Sequence, residues 1–426
     1  MRDKGDHYEY ICTYVDDLAV VSFEPLKIID ALQSKPYNFK LKGTTNINGA
    51  IHLGSRFSRD KDGVLTMDPD HYIKRMEESY EQRFPGEEIN KRVTSPLDPG
   101  DHPELDTSEF LPRDEIQIYQ SLVGAMQWAI SIGRFDIQTH IMTLSSFRAQ
   151  PRRGHLQRVK RIYAYLIKYR HFRIRFDVRE PNHENTPVRK FDWGNTAYGN
   201  SEEDLPVKAP EPKGKRVVLT HYYDANLMHD VLSGKSVTGV FHLMNLTPLQ
   251  WYSKKQSTVE TATYGSEFLA ARTCIEQIVD IRNSFRFLGV PVYETSFMYG
   301  DNESQVKSSS VPYARLNKRH NILSYHYIRS MIAKGYINLL HLRSQYNVAD
   351  TLSKHWSHQS NYKELIKPLL NYHDYEKGEI KSNITVTTNE LEQLLNTYEI
   401  VPSFGRPSEG SERIHMRNNG ETLLAR

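Results

Sequence analysis

Apolar and polar residues alternate along Tyr8–Val15 and again along Leu18–Phe23, on either side of Asp16 and Asp17. Two alternating runs around a short polar turn predict a β-hairpin. From about 105 to 170 the period changes. Tyr119, Leu122, Val123, Met126 and Ile130 recur at three- and four-residue steps, as do Val159, Ile162, Tyr163 and Leu166. That spacing predicts amphipathic helices with their apolar stripes on a core. Residues 178–215 lose the pattern and carry Pro187, Pro206, Pro210, Pro212 and Gly214, which predicts a linker. Phe191-Asp-Trp193 and Tyr198-Gly199 within it are expected to dock on a neighbour.

Alternation returns at Val217–Asp224, where β-branched and aromatic residues lead to an aspartate that is expected to close a strand. Further strands are predicted over about 236–243 and 249–253. A long helix follows over about 264–288, with Leu269, Ala270, Cys274, Ile278 and Ile281 along it. A strand over 296–301 closes on Asp301, then come a short helix, a helix around 321–333, a strand over 336–342 and a last helix from about Asn347. In the tail, Leu391, Leu394 and Leu395 predict one amphipathic helix within 384–400, and the polar run after Pro402 reads as disordered.

At 426 residues, 38% hydrophobic and 25% charged, the chain is long enough for two or three domains. No apolar run approaches a membrane span, and the N-terminus has no signal-peptide core. Cys12 and Cys274 are the only cysteines, which points to a reducing, intracellular compartment. The net charge of +3 is small, but Arg148–Arg175 holds ten Lys and Arg and no acid, interleaved with Tyr163, Tyr165, Tyr169 and Phe172. Such a run is either a solvated helix face or a phosphate-contacting surface. The second reading makes Arg152, Arg153, Arg158, Lys160 and Arg161 candidate nucleic-acid contacts.

Four acids stand in related settings: Asp224 after the first strand, Glu267 early in the long helix, Asp301 after its strand, and Asp350 in Asn347-Val-Ala-Asp350. Carboxylates gathered on one sheet repel one another, and a divalent cation relieves that repulsion. Oxygen-rich sites of this kind suit Mg²⁺ or Mn²⁺, and two such ions support attack on a phosphodiester.

Tyr14-Val-Asp-Asp17 resembles the metal-binding turn of reverse transcriptases. His52-Leu-Gly54, Ser95-Pro-Leu-Asp-Pro-Gly100, Tyr119-Gln-Ser-Leu-Val-Gly124, Gly133-Arg-Phe-Asp-Ile137 and Pro151-Arg-Arg-Gly-His-Leu-Gln-Arg158 follow in the order seen in copia-type LTR-retrotransposon polyproteins. Gly234-Lys-Ser-Val-Thr-Gly239, Trp251-Tyr-Ser-Lys-Lys-Gln256, Glu267-Phe-Leu-Ala-Ala271, Gly300-Asp-Asn-Glu-Ser304 and Ala349-Asp350 with Ser353-Lys354 resemble that family's ribonuclease H. The resemblance covers roughly 8–370.

It implies a multi-domain α/β chain. A partial reverse-transcriptase palm hairpin (1–100) and a helical connection region (101–177) lead through the linker (178–215) to a ribonuclease H-like mixed sheet flanked by helices (216–370). A largely flexible tail (371–426) follows. Asp224, Glu267, Asp301 and Asp350 match the family's metal-binding carboxylates, with two Mg²⁺ or Mn²⁺ ions as cofactors. Asp16 and Asp17 match the polymerase metal turn.

The implied activity is cleavage of the RNA strand of an RNA–DNA hybrid, with upstream polyprotein fragments as possible further partners. Lys254, Lys255, Arg319, His320 and His326 are implied contacts to nucleic acid, the two histidines also as proton shuttles. Asp230 aligns with another family aspartate, but its spacing suits a surface turn. Gly265-Ser266 departs from the acidic pair common before the catalytic Glu. Only 15 residues precede Asp16, so the polymerase is expected to be a remnant, inactive alone, from a C-terminal piece of a polyprotein or a truncated gene copy. A non-catalytic nucleic-acid-binding relic, or pseudogene product, is the alternative.

Overall fold

The computed structural model describes residues 1–15, 17–60, 62–90, 92–183, 186, 188, 191–199, 201–292, 295–316, 318–356, 365–366, 369–370 and 421–425. Asp16 and the expected tail helix lie outside the described residues. No helix among the described residues is long and apolar enough to cross a membrane.

A five-stranded mixed sheet organises the C-terminal half. β1 (Leu219–Asp230), β2 (Lys235–Met244) and β3 (Thr247–Lys255) form an antiparallel meander. β4 (Ser296–Gly300) runs parallel to β1, and β5 (Ile337–His341) parallel to β4. The spatial order is β3-β2-β1-β4-β5. Four helices accompany the sheet: α1 (Thr263–Phe287), α2 (Glu303–Ser310), α3 (Ile322–Ala333) and the short α4 (Asp350–Ser353).

Both faces of the sheet are covered, and the strand period of two sorts the residues. Tyr223, Val240, Met298, Ile337 and Leu339 point to α1 and α3, where Phe268, Ala271, Cys274, Ile275, Ile278 and Ile328 meet them. Tyr264, Phe268, Ala271, Ile275 and Ile278 follow one another by four, three, four and three residues, the stripe that makes α1 helical and buries it. Tyr222, Phe241, Phe297 and Tyr299 point the other way, into a core shared with the helices Arg113–Ser131, Gln138–Ser145 and Arg153–Lys168. Phe135 joins the two, its ring centroid 5.0 Å from Phe241 and 5.4 Å from Trp251.

The segment expected to be a linker is fastened down over much of its length. Trp193 is buried. The Glu203 carboxylate takes Arg282 at 2.6 Å and Arg286 at 2.5 Å, both from α1. Asp204 pairs with Lys334 at 2.8 Å. The physical reason is Arg282: its guanidinium is buried, and a buried cation needs a carboxylate partner. Proline and polar content hid that requirement.

Further upstream, Tyr8–Tyr14 and Asp17–Ser22 form the expected hairpin, with Tyr10 opposite Val21. The backbone of Glu421–Ala425 pairs with its second strand, a strand the polar tail did not suggest. Ser55–Arg59, Leu65–Asp68 and Ile174–Arg175 make a separate small sheet with Ile51–His52.

Candidate functional site

Hydrogen bonding between β1 and β4 runs from Thr220–Phe297 to Tyr222–Tyr299 and stops there. The two strands therefore part just before Asp224 and Asp301, opening a crevice at their carboxyl ends, where sheets of this kind place ligands. Asp224 does not close its strand, as the sequence pattern suggested. β1 continues to Asp230 because β2 keeps pairing with it, Ala225 opposite Thr238 and Asn226 opposite Val237.

Glu267 enters the crevice from the first turns of α1. Its Oε1 accepts the Ala225 amide at 3.1 Å, while its Oε2 is buried without a hydrogen-bond partner. Asp224, Glu267 and Asp301 each offer an oxygen, and these lie within 4.8 Å of one another. Asp350, the first residue of α4, stands outside that group of three. Its carboxylate pairs with Lys354 one turn later, and the same ammonium lies 3.7 Å from Asp224 Oδ2. The Ser353 hydroxyl also donates to Asp224 Oδ2.

The electrostatics follow from burial. Burial pushes the Asp224 carboxyl up to about 7; Asp350 and Asp301 push the same way, and Lys354 and Ser353 pull against them. Glu267 is driven well above the usual carboxylate range by burial, then by Asp224 and Asp301. Burial opposes the Lys354 charge, but Asp224 and Asp350 overcome it and raise its pKa. Three grouped carboxylates, one with a buried oxygen that lacks a donor, are a hard-oxygen set that suits a divalent cation.

Four residues that build the site were given no role by their sequence. Gly239 lies opposite Asp224 in the β1–β2 register. A Cβ there would come 2.5 Å from the Ala349 carbonyl oxygen and 2.8 Å from the Ser353 nitrogen, so only glycine lets α4 sit on the sheet. Asn347 donates to the Tyr223 carbonyl at 2.9 Å and anchors the approach to α4. Ser353 and Lys354 complete the set. A glycine inside a strand, where it is intrinsically unfavourable, was the available signal. Gly239→Ala is expected to displace α4, costing about 1–3 kcal/mol in urea unfolding, with loss of the Asp224–Ser353 contact.

The basic candidates of Arg148–Arg175 fare differently. The run is acid-free along the chain but not in space. Arg158 holds Asp101 at 2.8 Å and Asp106 at 2.6 Å; Lys160 holds Glu87 at 2.5 Å; Arg161 holds Asp98 at 2.6 Å. Arg153 reaches Glu115 at 3.5 Å, and Arg152 lies 3.9 Å over the Phe110 ring. These cations tie the helix Arg153–Lys168 to the preceding 87–115 segment. Arg158→Ala is accordingly expected to lower unfolding stability by about 1–3 kcal/mol, because two charge-assisted partners are left behind. The salt dependence of nucleic-acid binding should stay unchanged in a filter-binding titration.

Lys255 pairs with Asp230, whose carboxylate also takes the Leu232 and Ser233 amides of a turn. Lys254 and Arg319 are exposed. His320 meets Glu260 at 2.9 Å, and His326 meets the Tyr198 hydroxyl at 2.7 Å, so both rings are engaged away from the three grouped carboxylates. A Cβ on Gly265 would collide with the Glu260 carboxylate and make that side chain shift. On the hairpin, Asp17 lies 3.8 Å from His52; Asp16 is outside the described residues.

No protein-family model matches the chain. The retrovirus-related Pol polyprotein from transposon RE1 of Arabidopsis thaliana is 24% identical over 351 residues, 82% of this chain and 21% of that protein. The Pol polyprotein from transposon TNT 1-94 of Nicotiana tabacum is 24% identical over 382 residues, 87% of this chain and 25% of that protein. The chain is a distant homologue of copia-type retrotransposon Pol polyproteins. It spans 21% and 25% of the length of these two Pol relatives. Among solved structures, ribonuclease H1 of the archaeon Halobacterium salinarum is similar over 33% of this chain and 95% of its own, at 13% identity and a TM-score of 0.25.

Proposed function

We propose that this Pol homologue is a divalent-metal-dependent ribonuclease H that hydrolyses the RNA strand of RNA–DNA hybrids. The observation that carries the reading is the group of Asp224, Glu267 and Asp301, whose oxygens lie within 4.8 Å of one another, with Glu267 Oε2 buried and without a hydrogen-bond partner. Uncompensated carboxylates at this separation are costly in a folded protein, and binding cations is the function that makes use of that cost. In this reading Asp224, Glu267, Asp301 and Asp350 hold two Mg²⁺ or Mn²⁺ ions. When bound, those ions activate water for attack on the phosphodiester and stabilise charge on the leaving 3′ oxygen.

The chain's own residues do the rest. Ser353 holds one Asp224 oxygen, and the Ala225 amide holds one Glu267 oxygen, which orients both carboxylates. Exposed Lys254 and Arg319 are carried forward as backbone-phosphate contacts. In the same reading the chain divides at about 100, 177, 215 and 370, and the 1–100 part, with Asp16 and Asp17, belongs to a reverse-transcriptase palm. The test is incubation of the full chain with a hybrid labelled on either strand. RNA fragments ending in 3′ hydroxyls are expected with Mg²⁺ and none with EDTA, while the labelled DNA strand stays intact.

A further inference from the structure

The crevice holds a cation of its own. Lys354 sits one helical turn after Asp350, pairs with that carboxylate, and brings its ammonium 3.7 Å from the Asp224 oxygen that Ser353 also holds. Its side chain is 39% exposed, so it has room to leave. The three carboxylates grouped within 4.8 Å exclude the one Lys354 holds. We propose that Lys354 is a resident counter-ion that bridges Asp224 and Asp350 in the metal-free protein and competes with divalent ions for them.

This rests on the metal-site reading above and deepens it. Lys354 pairs with Asp350, outside the group of three, and lies 3.7 Å from Asp224 within it. An ion held by Asp224, Glu267 and Asp301 meets only partial competition. An ion that needs Asp350 has to displace the ammonium into solvent, so Lys354 sets the weaker of the two affinities. The same charge neutralises part of the acidic cluster when no metal is bound, which lets the metal-free protein fold around it. Lys354 is a positioning residue in this account, acting through Asp350.

The experiment is Mn²⁺ binding to the full chain, followed by the loss of the free Mn²⁺ electron-spin resonance signal. Wild type is compared with Lys354→Met, which keeps the apolar stem, and Lys354→Gln, which keeps a polar tip. Both variants are expected to bind the weaker ion roughly tenfold more tightly, the low end of what one adjacent charge does to a carboxylate's affinity for a cation. Both are also expected to melt below wild type in EDTA and to gain more from Mn²⁺. Unchanged or weaker Mn²⁺ binding in the variants overturns this proposal alone. Absence of binding in wild type and variants alike overturns the metal site with it.

Discussion

In EDTA at about pH 8, Asp224→Asn is expected to melt above the wild-type chain and to gain far less when Mg²⁺ is added. The reason is the carboxyl at position 224, whose pKa rises from an ordinary 3.8 to about 7 in the fold. An acid whose pKa is raised on folding holds its proton more tightly in the native state. Its contribution to stability is therefore complete below 3.8 and is lost as pH climbs through about 7. The loss is on the order of a few kcal/mol, and Asn escapes it by carrying no charge. Removing that charge also relieves Glu267, which Asp224 raises.

Mg²⁺ is expected to reverse the wild-type loss, since an ion that binds only the native arrangement stabilises it by about 2.7 kcal/mol at a hundred times its dissociation constant. Histidines that lose solvent on folding work the other way. His183 and His242, lowered to about 4, and His229, lowered to about 3, lose stability as pH falls below their ordinary range. The comparison is therefore variant against wild type at each pH, by calorimetry with EDTA and with Mg²⁺. A variant that melts with wild type throughout would remove the repulsion argument. Hybrid cleavage by Asp224→Asn should fall on the order of a thousandfold or more, since a charge holding the ions is gone.

The largest stability effect is expected at Asp136. Arg134 and Asp136 are fully buried, with guanidinium nitrogens 3.0 and 2.7 Å from the two carboxylate oxygens. The Tyr165 hydroxyl donates to the same carboxylate at 2.8 Å, and the Trp356 indole donates to the Asp136 carbonyl at 3.1 Å. This knot joins the helical region to the end of the sheet unit. Asp136→Ala leaves a buried guanidinium without its counter-charge and is expected to cost about 3–5 kcal/mol. The double change Arg134→Met with Asp136→Leu removes both charges and should cost far less. Urea denaturation of the three proteins decides it: equal losses in single and double variants would mean that packing, not charge, sets the cost.

The strands and helices of the sheet unit were legible because burial on both faces leaves strong periodicity. A helix expected over 264–288 is observed at Thr263–Phe287, and a strand expected over 236–243 at Lys235–Met244. Three of the four singled-out acids converge, and the fourth is held by a lysine whose sequence neighbourhood gave it no role. What stayed hidden was pairing across distance. Arg158 and Asp101 are 57 residues apart, and Arg282 and Glu203 are 79 apart. A charge run and a polar linker look the same in composition whether solvated or neutralised by partners elsewhere, so the partners of both stayed hidden. Gly239 was hidden for a related reason: its partner is a helix that arrives more than a hundred residues later.

The measurement closest to the central claim is Mg²⁺-dependent cleavage of an RNA–DNA hybrid by the full chain and by Asp301→Asn, each with its melting curve. Wild type is expected to cut the RNA strand and to be stabilised by Mg²⁺. Asp301→Asn is expected to keep its fold and cut nothing. Cleavage that survives in Asp301→Asn, or a folded wild type that neither cuts nor responds to Mg²⁺, would contradict the account.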